Sequence, residues 1–443
     1  MPKRMIVLGA VFLALAILPA ARSAAEANPY DAVVDHFFTA VRDGKFGEAT
    51  RHFSARMKAL SPAGLKGSWN QVYAQEGPLV DWKIFERQNL PNGRDEVSVQ
   101  LRFHSSTANS IIVVASQTGE ITSVLFKLPA TSPPYAERTK FHTDDVTIGA
   151  YKLSGTLTIP KGKGPFPVVV LIQGSGPNDR DETVGANHPF ADIADGLASR
   201  GIIVLRFDKR TYAYRKLDSQ KTTVDAEVIE DGVAAVRLLR ARRDVAQDRI
   251  FVIGHSLGAM LAPEIAKKAW PVAGIVMLAP SGRRLPQLIV EQTRFLGQAS
   301  PGQLAEMERQ ADELSAHKMP ATQNFFNAPA SYYYDLDARD EVAIARSLDV
   351  PILILHGSRD YPAVDEDIRD WQTGLKGDAK VQVETLPGLN HLLIASADKP
   401  TPPEYSAPGH VDVGVIGTIA SFVANGVATT TAGGAPAHQA ASN

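Results

Sequence analysis

The spacing of apolar positions changes character along the 443-residue chain. In Tyr30–Val41, Val33, Phe37 and Val41 recur at helical spacing, and Phe46–Met57 predicts a second short helix. Then the period drops to two. Val97, Val99, Leu101 and Phe103 alternate with Ser98, Gln100 and Arg102, as in a half-buried strand. Ile111–Ser116 and Glu120–Leu128 predict two more strands, joined by a turn at Gln117-Thr118-Gly119. Helices followed by a strand meander predict a small α+β domain over residues 28–128. No cluster of titratable side chains there suggests chemistry, so packing or oligomerisation is its plainest role, with substrate gating as the alternative.

Residues 129–140 are proline-rich at first (PATSPPYAER) and read as a linker. Beyond them strand and helix alternate. Val146–Ile159 predicts two strands bent at Gly149 and Gly155, and Phe166–Ile172 (FPVVVLI) a solidly apolar one. Phe190, Ile193 and Leu197 line a helix that stops at Gly201, before the strand Ile202–Phe207. Val224, Val228, Gly232, Val236 and Leu239 form a stripe on a longer helix. Strands follow at Ile250–Ile253, Val272–Leu278, Pro351–Leu355 and Lys380–Leu386; Val411, Val415, Ile419 and Phe422 mark a closing helix ended by Gly426. Strands without an outward polar face need helices on both sides. The expected fold class is therefore α/β, with a mostly parallel sheet over residues 141–426. A helical insertion at about 281–345 interrupts the alternation and is expected to cap a pocket, with Phe325, Phe326, Tyr332 and Tyr333 as candidate pocket residues. Residues 427–443, rich in Ala, Gly, Ser and Thr, are expected to be a disordered tail.

Composition narrows the class. The chain is 44% hydrophobic and 21% charged with a net charge of −2, which suits a soluble globular protein and gives no sign of a nucleic-acid partner. There is no cysteine, hence no disulfide and no thiolate chemistry. Lys3 and Arg4 precede the apolar run Met5–Ala20, and Ala21–Ala27 is rich in small residues. That order predicts a secretory signal peptide over residues 1–27, cleaved after Ala25 or Ala27, and a periplasmic or secreted product with no stable membrane anchor. The apolar run is shorter than the ~20 residues a membrane-spanning helix needs.

The chemistry centres on Arg249–Met260 (RIFVIGHSLGAM). An apolar strand, then Gly254-His255-Ser256-Leu257-Gly258, then a helix, is the context of a nucleophile elbow. A serine hydroxyl needs a base to take its proton, and the base needs an acid to orient it. Asp360 stands in a loop just past the strand Pro351–Leu355, and His391 just past Lys380–Leu386. Ligands in such sheets bind outside the carboxyl ends of the strands, so Ser256, Asp360 and His391 are expected to converge, with Asp365, Asp335 and Asp337 as rivals for the acid. His255 and His356 read as scaffold. Two backbone N–H groups should stabilise the oxyanion. Leu257 supplies one; the other comes from Gln173-Gly174-Ser175-Gly176-Pro177, with Ser175 preferred and Gly174, also a candidate pocket residue, beside it. The charge cluster Asn178-Asp179-Arg180-Asp181-Glu182 is expected to form internal salt bridges that stiffen this loop.

The stretches QGSGPNDRDET, FADIADGLASRGIIVLRFDKRT, GHSLGAM, LILHGSRDY, GLNHLLI and PPEYSAPGHVD, from Gln173 to Asp412, resemble bacterial α/β-hydrolase carboxylesterases that carry a small N-terminal α+β domain. The resemblance implies the α/β-hydrolase fold, esterase activity on short acyl chains, and Ser256, Asp360 and His391 as the triad. The N-terminal region is more faintly similar to cone-shaped α+β domains of the nuclear-transport-factor type. Gln173-Gly174 departs from the His-Gly that many hydrolases carry in the oxyanion loop. The expected function is an exported serine carboxylesterase with a small-molecule ester substrate, no metal and no other cofactor; a homo-oligomer is compatible with the sequence. The alternatives are an acyl thioesterase or an aminopeptidase-type peptidase on the same triad, for which Asp335, Asp337, Asp340 and Glu341 would offer an acidic pocket, and, remotely, a non-catalytic binding protein.

Overall fold

The computed structural model describes residues 29–425, apart from 56, 60, 91–92, 105–106, 116, 128–129, 215–221, 298, 327, 397–399 and 406. The expected signal peptide and C-terminal tail lie outside the described residues. The chain divides into two compact units, with the division between Pro129 and Ala130.

The first unit holds α1 (Pro29–Arg42), α2 (Phe46–Ala49) and α3 (Pro62–Glu76), then the antiparallel meander β1 (Leu79–Leu90), β2 (Arg94–Phe103), β3 (Thr107–Ala115) and β4 (Ile121–Lys127). Phe37, Phe38, Phe53 and Trp69 pack with Val97, Val99 and Leu101 in its core. Two elements escape the sequence reading. In α3, Leu65, Trp69 and Val72 form a short apolar stripe, and Ser61 caps the helix by accepting from Gly64 N–H, so the signal was there. In β1, register shifts at Leu79/Asp81 and Ile84/Glu86 break the alternation that would have revealed the strand.

The second unit is built on eight strands. In chain order they are β5 (Phe141–Ile148), β6 (Leu153–Pro160), β7 (Phe166–Ile172), β8 (Ile203–Phe207), β9 (Val245–His255), β10 (Gly274–Leu278) and, after a two-stranded ribbon β11 (Asn324–Phe325) and β12 (Ala328–Pro329), β13 (Ile352–Gly357) and β14 (Val381–Leu386). Their spatial order is β14-β13-β10-β9-β7-β8-β6-β5. From β14 to β8 every pairing is parallel, and β6 and β5 close the edge antiparallel. The mostly parallel sheet expected from the sequence is thus present, with apolar clusters on both faces. On one side Phe190, Ile193 and Leu197 of α4 (Pro189–Ala198) pack with the last helix. On the other lie a short α5 (Arg210–Ala213), a π-helical turn (Asp225–Ile229) running into α6 (Glu230–Arg240), and α7 (Leu257–Lys268). The insertion contributes α8 (Leu285–Phe295), α9 (Pro301–Ser315), the ribbon, α10 (Ala330–Asp337) and α11 (Glu341–Arg346); α12 (Asp365–Gly374) and α13 (Val413–Asn425) complete the unit. The insertion is not purely helical, since β11 and β12 pair across residues 324–329.

Candidate active site

Strand β9 ends at His255 and helix α7 starts at Leu257, leaving Ser256 alone at the junction with φ +53° and ψ −118°. A non-glycine residue in that region is strained, and the strain is held by tight packing. A Cβ at Gly254 would sit 2.1 Å from the carbonyl oxygen of Gly258; one at Gly258 would sit 2.3 Å from that of Ile172. Neither position has room for a methyl group, which accounts for the glycines on either side of the turn. Ser256 N–H donates to Leu278 O, and the first bonds back into the helix come from Ala259 and Met260 to Ser256 O. The amide of Leu257 precedes them, at the positive end of α7.

The loop after β7 passes directly beside this elbow. A Cβ built on Gly174 would lie 3.1 Å from Ser256 Cβ. Gly174 N–H is already committed, donating to Glu182 Oε1 at 2.6 Å, and its carbonyl accepts from Lys209 Nζ at 2.9 Å and from Asn178 Nδ2 at 3.1 Å. Gly174 is therefore the anchored residue of the loop, and Ser175 is the next one along. Lys209 is buried and also pairs with Glu227 at 3.1 Å.

The acid and the base arrive from the neighbouring strands. Asp360, buried past the end of β13, has Oδ2 2.7 Å from His391 Nδ1, and its Oδ1 accepts from Ala363 N–H at 2.8 Å. His391 sits in a turn shaped by Asn390, whose buried Oδ1 accepts from the N–H groups of Leu392 and Ile394, and by Leu393 at φ +58°. The two loops touch: a Cβ at Gly357 would be 2.3 Å from Leu389 O. His391 is tied to the elbow by its carbonyl, which accepts from His255 Nε2 at 2.9 Å, with the two rings 4.7 Å apart. The structure thus pairs Asp360 with His391 and ties the His391 backbone to the residue that precedes Ser256.

The rival acids are engaged elsewhere. Asp365 is exposed and faces His356 at 3.2 Å, Asp335 pairs with Arg339 and caps Val224 N–H, and Asp337 pairs with Arg284. His356 is buried beside Asp360 at 4.0 Å, consistent with its reading as scaffold.

A cavity of about 560 Å³ adjoins the loop and is lined by Ser175, Gly176 and Pro177 on one side and by Leu285, Ile289, Leu296, Phe326, Tyr332 and Tyr333 on the other. Two expected pocket residues are not in its wall. Phe325 is fully buried, edge-on to Tyr333, as the inward residue of β11, whereas Phe326 stands in the following turn at φ +51° and is exposed. Gly174 lies behind Ser175, turned toward Glu182 and Lys209. Glu227, on the π-helical turn, does line the cavity, but Lys209 neutralises its charge and Tyr332 donates to it at 2.6 Å. None of the four acidic residues considered for an amino-terminus pocket lines it.

The charged run behaves differently from expectation. Within it Asp179 accepts from Asp181 N–H, while its ion pairs reach outside the run: Arg180 to Asp208 just past β8, Asp181 to Arg206 and Glu182 to His255. Those partners are far along the chain, so spacing within the run carried no trace of them.

The Alpha/beta hydrolase family matches residues 169–401, more than half of the chain. The chain is a member of that family. Within it, this hydrolase is 39% identical over 388 residues to Esterase EstD of Thermotoga maritima, an alignment spanning 85% of this chain and 91% of that protein. Similar solved structures include the Pyrococcus furiosus esterase Pf2001 (TM-score 0.44, 16% identity, 68% of this chain and 96% of that one). Est1E from Butyrivibrio proteoclasticus bound to ferulic acid is another (TM-score 0.44, 15% identity, 63% and 98%).

Proposed function

We propose that this ester-hydrolysing enzyme is a serine carboxylesterase working through an acyl-serine intermediate. His391 takes the proton of Ser256 as the hydroxyl attacks the ester carbonyl, and Asp360 holds the resulting imidazolium. The amides of Leu257 and Ser175 receive the oxyanion. His391 returns the proton to the departing alcohol, then activates a water that releases the acid. The observation that supports this most is the cluster itself: a serine on a strained strand-to-helix junction, beside a loop with an anchored glycine, with an Asp–His pair bonded at 2.7 Å and braced against the same junction. The 39% identity to a protein named as an esterase favours an ester over a thioester or a peptide. The walls of the cavity, apolar apart from neutralised or uncharged groups, favour an uncharged acyl group.

Ser256→Ala should lower kcat on p-nitrophenyl acetate by about 10⁴- to 10⁶-fold, since members of such a triad act as a unit. It should also abolish labelling by a fluorophosphonate. Turnover by Ser256→Ala at the parent rate would overturn the assignment. The pattern of residues 1–27 supports export, which cell fractionation with and without those residues would check.

A further inference from the structure

Glu182 and His255 have no place in the chemistry just described, yet they join its parts. Glu182 is buried and held at φ +51°, a conformation costly for a side chain with a Cβ. One of its oxygens accepts from Gly174 N–H at 2.6 Å, and the other lies 3.0 Å from His255 Nδ1. His255 is equally buried, and its Nε2 donates to the carbonyl of His391 at 2.9 Å. The 3.0 Å approach is an ion-pair contact rather than a well-aligned hydrogen bond, and neither Glu182 Oε2 nor His255 Nδ1 has a hydrogen-bond partner among the described residues.

A neutral imidazole donates from only one nitrogen. Here the ring faces a carboxylate on one side and a backbone carbonyl on the other, both acceptors, so it needs a proton on each nitrogen. We infer that Glu182 and His255 form a buried ion pair that locks the oxyanion loop to the backbone of the general base and presents a fixed positive charge to His391. Both are positioning residues, and the inference rests on the esterase reading. The carboxylate of Glu182 holds the His255 ring above its ordinary pKa of 6.5 against the opposing effect of burial.

The charge has a direction. Facing His391 are Asp360, the His255 ring at 4.7 Å and the phenol oxygen of Tyr405, which accepts from His391 N–H. Facing His255 are Glu182, His391 and the Phe190 ring, with Asp360 beyond. The positive end of the Glu182–His255 pair is the one nearest His391, so removing the pair's charge changes the field in which ester hydrolysis takes place.

The test compares kcat, KM and the pH profile of kcat/KM for wild type, Glu182→Gln and Glu182→Ala on p-nitrophenyl acetate. Glutamine can accept from Gly174 N–H and donate to a neutral His255, preserving the brace without its charge; alanine removes both. Glu182→Gln should move the acid limb up by about half to one pH unit. Glu182→Ala should lower kcat by about tenfold or more with little change in KM, and glutamine should recover most of that loss. An acid limb in Glu182→Gln that coincides with wild type overturns the inference, as does full kcat in Glu182→Ala. If the alanine variant does not fold, the limb of the glutamine variant decides alone. Absence of wild-type ester turnover would fail the esterase reading and this inference together, whereas normal wild-type turnover with an unmoved limb fails this inference only.

Discussion

Asp360 Oδ2 and His391 Nδ1 lie 2.7 Å apart although 31 positions separate the residues in the chain. Strands β13 and β14 are parallel neighbours, so their carboxyl ends open at the same edge of the sheet and their loops meet there. The contact fixes which nitrogen of His391 faces the acid and leaves Nε2 pointing away from it.

Asp360→Asn should therefore lower kcat by about 10³- to 10⁴-fold with KM nearly unchanged, because the amide cannot hold the imidazolium or select its tautomer. Asp365→Asn, changing an exposed carboxylate, should stay within about threefold of wild type. Steady-state kinetics on one ester would check both; an active Asp360→Asn would reassign the acid.

The elbow leaves no room for growth. Gly258→Ala would push a methyl group toward the carbonyls of Ile172 and Gln173, at 2.3 and 2.6 Å. The variant should lose most of its activity and several degrees of melting temperature, the size of effect expected when a side chain is forced against backbone in a packed core. Thermal unfolding with an activity assay would show it, and a variant with wild-type melting and turnover would contradict the geometry.

The cavity beside Ser175 should set acyl preference. Filling it with Ile289→Trp or Leu296→Trp should lower kcat/KM for a p-nitrophenyl octanoate by about tenfold or more while changing acetate by about threefold or less, since only the longer chain needs that space. A uniform loss across chain lengths would indicate that acyl groups bind elsewhere.

Stability should depend on pH through Glu341. Burial, with Glu264 and Asp340 reinforcing it and Arg339 opposing it, raises this carboxyl from 4.5 to about 8. In the unfolded chain it would ionise near its ordinary value, so the folded state retains the proton more strongly. That contribution is full below pH 4.5 and is lost as pH rises through about 8. Glu341→Gln keeps the neutral form throughout. Its melting temperature should exceed that of wild type increasingly from pH 5 to pH 9; parallel curves would refute the shift.

Much of this was legible in the sequence because it is local. The apolar runs of β7, β9, β10 and β13, the glycines around Ser256, and the placement of Asp360 and His391 after successive strands are all short-range patterns. What was not legible depends on contacts between distant residues. Nothing near Glu182 announces that it meets His255, and nothing in RFDKRT announces that Lys209 turns inward to hold Gly174. Phe325 ends a two-residue strand too short to show a period, and Phe326 already belongs to the turn that follows it. In β1 the bulges hid the alternation itself.

The contact of Gly258 with the carbonyl of Ile172 also separates what can diverge from what cannot. At the elbow backbone is pressed on backbone, and a side chain there has nowhere to go. The cavity wall from the insertion is made of side chains such as Leu285, Ile289, Leu296 and Phe326, where one can lengthen or shrink without touching the elbow. Altered selectivity is therefore to be sought by diversifying that wall, while the elbow glycines are left as they are.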